Sequence, residues 1–67
     1  MPDKEILFAG LRGEMAYHGH YQKDLAKFLG HKSYYVTDRM VGRVKWSEAD
    51  KEKISQLYNK PVEELFN

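Results

Sequence analysis

The sequence predicts an all-α fold, a compact four-to-five-helix bundle forming one domain over residues 1–67. Apolar residues recur at three- and four-residue spacing, the period of a helix with one buried face. Glycine or Asn-Lys-Pro follows several of these runs, where a helix must stop. No stretch alternates apolar with polar residues as a half-buried strand does.

The first helix is expected from Asp3, a plausible N-cap, to about Tyr17, with Leu7, Leu11 and Met15 on one side. Gly10 and Gly13 weaken it, each by roughly 0.5–1 kcal/mol relative to alanine. The sequence Tyr17-His18-Gly19-His20-Tyr21 reads as a connector. A second helix follows, with Leu25, Phe28 and Leu29 on its buried side and Ala26 between them. Gly30 ends it in the left-handed conformation that suits a residue without Cβ. The third helix, from about Lys32 to Val41, has only Val36 and Met40 on its apolar face, so much of it must look outward. Arg43 to Trp46 forms an extended loop. Ser47 then caps a fourth helix, with Asp50 completing a weak capping box and Ala49, Ile54, Leu57 and Tyr58 inward. Asn59 and Lys60 break that helix, and Pro61 opens a final turn through Val62, Leu65 and Phe66.

At 67 residues with 42% apolar and 31% charged residues, the chain has room for one small core. The absence of cysteine excludes disulfides and thiolate metal sites. The longest apolar run, Ile6 to Leu11, is too short for a membrane span, and no secretion signal is seen, so a cytoplasmic protein without membrane contact is expected.

The net charge of +1 is unevenly spread. Residues 21–45 carry six basic and two acidic groups, a net +4, against −1 for residues 1–20 and −2 for residues 46–67. The positive charge therefore falls on the tight second and third helices and the loop behind them, where a phosphate backbone would be met. Two short helices, a glycine turn and an under-hydrophobic second member form the pattern of a DNA-reading helix-turn-helix.

Leu11-Arg12, Gly19, Gln22, Leu25-Ala26, Gly30, Val36, Gly42, Ile54, Leu57 and the closing Pro61-Val62-Glu63-Glu64-Leu65-Phe66 resemble, as an ordered set, the Cro/repressor-type helix-turn-helix regulators of phages and prophages. The likeness implies their lambda-repressor-like five-helix fold, operator binding and a dimer paired through the C-terminal part. Tyr21 and His20 depart from the usual helix cap and the apolar residue before it. Met15 and Met40 stand where the family often has an Arg–Glu ion pair, so an apolar contact is expected there. Arg39 replaces an aliphatic residue and is expected to run outward past Val36 and Met40.

Ser33, Tyr34, Thr37 and Asp38 share one face of the third helix, opposite Val36 and Met40, and are the candidates for base contacts. The likeness itself implies such contacts at Ser33, Tyr34 and Asp38, and matches Gln22 to a phosphate-clamping glutamine. Lys32, Tyr35, Arg43 and Lys45 are the other phosphate candidates. The alternatives are helix packing for Tyr34 and Tyr35 and an ion pair for Asp38. Phe66, with Trp46 or Val44, is the candidate dimer contact; alternatively Phe66 folds back as a core lid. His18 and His20 read as loop histidines, with His20 partly buried, and no metal site or cofactor is expected. Nor is an enzyme, for want of a cysteine nucleophile, a phosphate loop or a fixed carboxylate pair. The expected function is a sequence-specific double-stranded DNA-binding regulator, most simply a Cro-like repressor dimer on a near-palindromic operator, with pairing only on DNA as one option. The alternative is a protein-interaction module on the same fold, an antitoxin or anti-repressor.

Overall fold

A computed structural model describes residues 7–66, in which five helices and no strand are present: α1 Ala9–Tyr17, α2 Gln22–Leu29, α3 Ser33–Met40, α4 Glu48–Tyr58 and α5 Val62–Leu65. The fold is all-α. Asp3 and the expected first turn of α1 lie outside the described residues, and Leu7 precedes the helix instead of belonging to it.

One core joins the five helices. Leu11 and Met15 of α1, Leu25, Ala26 and Leu29 of α2, Val36 and Met40 of α3, Ile54 and Tyr58 of α4 and Leu65 of α5 are all buried. Each of these was expected on the inner side of its helix. Phe28 and Leu57 were too, but they remain 47% and 36% exposed, and Ala49 is also exposed. A short helix buries a limited arc, and these positions lie at its margin. Two further residues are buried, Trp46 from the loop and Asp50.

The turns share one construction. After α2, Gly30 adopts φ 80°, the His31 N–H bonds the Ala26 carbonyl at 2.9 Å and the Gly30 N–H bonds that of Lys27 at 3.1 Å. After α3, Gly42 at φ 83° sits between the bonds Arg43 N–H to Asp38 carbonyl, 2.9 Å, and Gly42 N–H to Arg39 carbonyl, 3.2 Å. Both are Schellman turns, which satisfy the last carbonyls of a helix and fix the direction of the next segment. Ser47 caps α4 by accepting the Asp50 N–H at 3.1 Å. α2 is capped in reverse: the Asp24 carboxylate accepts the Tyr21 N–H at 2.8 Å, which compensates for the missing Ser or Thr.

α2 packs on α3, while α5 closes the fold against α1 and α4. The approach of α5 explains Gly10 in the first turn of α1. A Cβ there would run into the Glu64 carbonyl oxygen, so the glycine removes a side chain for which there is no room. Phe8, Trp46 and Phe66 form an edge-to-face cluster, with ring centroids 5.3–6.5 Å apart. Trp46 is 6% exposed within one copy, and Phe66 is partly buried against the same core, as in the core-lid alternative. Val44 stays at the surface.

Arg12 ties α1 to α3. Its guanidinium donates to the Leu7 carbonyl at 2.8 Å and the Met40 carbonyl at 2.9 Å, placing a cation at the C-terminal end of α3 where the helix dipole favours it. Met15 and Met40 are buried in the shared core and border one hollow with Arg12.

Candidate nucleic-acid interface

α3 divides sharply into two sides. Val36 and Met40 face the core, and Tyr35 is fixed between them and α4. The His31 ring stacks on Tyr35 at 3.6 Å and 1°, and the Arg39 guanidinium carbon lies 3.5 Å from the same ring centre. Two planar groups that close must occupy opposite faces, so Tyr35 is sandwiched. Its hydroxyl donates to the Asp50 carboxylate at 2.5 Å. That bond to an anion, together with burial and the Asp50 charge, raises the Tyr35 pKa above the ordinary tyrosine value, and Arg39 opposes the shift. Tyr35 thus takes the packing alternative, its one proton already given within the protein. Arg39 does not run outward. It folds onto Tyr35 and donates to the Tyr35 carbonyl at 3.0 Å, while its buried Nε finds no partner among the described residues.

The outer side carries Ser33, Tyr34 and Thr37, all exposed, with Asp38 half-buried beside them. This is the grouping expected of the base-contact candidates. Tyr34 is 67% exposed and takes no part in the core, unlike its neighbour Tyr35. The Thr37 hydroxyl donates to the Gln22 side-chain carbonyl at 2.7 Å, a bond that joins the first turn of α2 to the middle of α3. Gln22 then keeps its amide NH2 to donate outward. An open groove between the two helices is lined by Tyr21, Gln22, Lys23, Ser33 and Thr37.

Asp38 forms the ion pair weighed for it: its Oδ1 lies 2.8 Å from Nη1 of Arg43. Arg43 and Lys45 are exposed on the loop after α3, and Lys32 is exposed immediately before it. α3 has no side-chain cap and no acidic residue in its first turn. Its N-terminus therefore presents unneutralised backbone dipole beside a lysine, an arrangement that favours an anion.

The histidines form a separate cluster behind this face. His18 and His20 stack with centroids 5.7 Å apart, and both lie against Tyr58. His20 Nδ1 is 2.8 Å from the Tyr58 hydroxyl, which accounts for its partial burial. Glu14 lies between His18, at 3.6 Å, and Lys60, at 3.3 Å. The Tyr58 pKa is pushed up to about 12, chiefly by burial, with Glu14 and Asp24 adding to it.

Sequence reasoning missed Arg12, Asp50 and His31 as positioning residues. Each acts through a partner far along the chain or through ring stacking, and no local spacing announces either. No family model, curated protein or solved structure matches the chain.

Proposed function

We propose that this protein is a sequence-specific regulator that binds double-stranded DNA, laying the outer side of α3 in the major groove. The observation that carries the reading is the separation of roles on α3. Tyr35 and Arg39 are drawn into the fold, while Ser33, Tyr34 and Thr37 stand outward between Lys32 on one side and Arg43 and Lys45 on the other. Hydroxyls and a carboxylate suit base edges, and the flanking lysines suit phosphates. The ordered likeness to Cro-type repressors supports the same reading, and with it a cytoplasmic repressor of phage or prophage kind. One such helix covers few base pairs, so the functional unit is two copies on a near-palindromic operator. With Trp46 buried and Phe66 packed against the core, the free protein is expected to be monomeric and to pair on DNA.

The exposure of both Tyr34 and Val41, at 67% and 51%, favours a second reading in which α3 meets a protein. Selection of duplexes from a random pool, followed by a salt titration, separates the two. DNA binding predicts an enriched site and an affinity falling steeply from low to physiological salt, with about four or five phosphates neutralised per copy. No affinity for any duplex at low salt would overturn the reading.

A further inference from the structure

We propose that Asp38 and Arg43 form a preassembled fork that reads a guanine in the major groove, which makes Arg43 a specificity-determining residue and not a phosphate contact. The inference rests on the DNA reading above and assigns it a base.

Three bonds converge on Asp38. Its carbonyl accepts the Arg43 N–H at 2.9 Å and the Val44 N–H at 3.2 Å, and its carboxylate holds Arg43 Nη1 at 2.8 Å. The Schellman turn at Gly42 thus fixes the Arg43 backbone, and the ion pair fixes the far end of its side chain. An ion pair this exposed, with Arg43 71% and Asp38 30% accessible, contributes only roughly 0.2–1 kcal/mol to stability. Its consequence is directional. Arginine has five N–H donors, and one bond to Asp38 leaves four. Asp38 follows Thr37 and lies one turn beyond Tyr34, so the guanidinium it holds is anchored on the side of α3 that carries those residues. Guanine alone offers two adjacent acceptors, N7 and O6, to such a fork. The second Asp38 oxygen can accept from a cytosine N4 amine, so the pair matches both members of a G·C base pair. The carboxylate is also neutralised before it enters the phosphate field, which a lone Asp38 on this face would oppose.

A phosphate-binding Arg43 makes a different prediction. The full chain is used to select a duplex, and each guanine of the selected site is then replaced by 7-deazaguanine, which lacks the N7 acceptor. For the unaltered protein, one position in each half-site should lose roughly 5- to 150-fold in affinity. Arg43→Ala and Arg43→Lys should bind the intact site more weakly by a similar factor and become indifferent to that replacement, while keeping their affinity for unrelated duplexes within a few-fold. Asp38→Asn, which keeps shape but loses the ion pair, should reduce the guanine preference without altering the salt slope. Thermal unfolding of each variant checks that the exposed substitutions leave the fold intact. If Arg43→Ala weakens all duplexes alike and retains the 7-deazaguanine penalty, the fork is wrong and Arg43 contacts phosphate. Failure of the unaltered protein to bind any duplex would instead overturn the DNA reading and the fork with it.

Discussion

α3 and α4 begin in opposite ways. α4 opens with the Ser47 cap and with Glu48 and Asp50 in its first turn, so its N-terminal dipole is answered by the protein's own oxygens and carboxylates. α3 opens with Lys32 and Ser33, with no side-chain cap and no acid. Their polar residues differ in the same sense. Asp50 is buried and receives the Tyr35 hydroxyl, and Tyr58 is buried under the histidines, whereas Ser33 and Tyr34 touch nothing that holds the fold. α4 uses Asp50 and Tyr58 within the fold, and α3 leaves its outer Ser33 and Tyr34 available to a partner. The identity of a polar residue therefore says less about its role than whether the fold has already satisfied it.

The largest expected effect on this contrast comes from pH. The native Tyr58 pKa is about 12, against about 10 in the unfolded chain, so the native state holds that proton more tightly. The associated stability is fully present below pH 10 and is lost as pH rises toward 12, on the order of 2 kcal/mol in all. Denaturant titrations across that window should show the decline, and Tyr58→Phe should flatten much of it. An equal slope in the variant would remove α4 tyrosine burial from the comparison.

Next comes removal of a polar group from each helix. Asp50→Ala strips the Tyr35 hydroxyl of its acceptor and should cost about 1–3 kcal/mol by chemical denaturation. Ser33→Ala and Tyr34→Ala should stay within about 0.5 kcal/mol of the unaltered chain. A comparable loss at Tyr34 would place it in the fold with Tyr35.

The smallest effect is the sharpest. Ser33→Asp gives α3 the acidic first turn that α4 already has, and should raise stability by about 0.3–1 kcal/mol at low salt. On the DNA reading the same change should lower affinity for every duplex. If melting temperature and duplex affinity rise together, the open start of α3 is no anion site.

Much of the fold was legible because its signals are local. Leu25, Ala26 and Leu29, then Gly30, then Val36 and Met40 state a helix, its stop and a second helix in consecutive residues, and the structure follows them. The outer grouping of Ser33, Tyr34 and Thr37 came from the same periodicity. What local spacing did not carry is the set of partners that decide between equivalent-looking residues. Tyr34 and Tyr35 are neighbours in sequence, and it is Asp50, fifteen residues away, with His31 and Arg39 on the two ring faces, that makes one of them structural. Trp46 and Phe66 looked like spare apolar surface until Phe8 completed their cluster, and Arg39 was drawn inward by a ring that happened to lie beneath it.

The missing side chain at Gly10 has a consequence for the order in which the chain assembles. The helix that needs that vacancy is α5, so the side of α1 around Gly10 is completed by residues that come after the other four helices in the chain. A nascent chain emerging from the ribosome can form the α2–α3 pair early, yet must keep the side of α1 around Leu11 open to water until Leu65 arrives. Closing α5 on α1 joins segments far apart in sequence, and any shortening that removes Leu65 deprives the first helix, not only the last, of its partner.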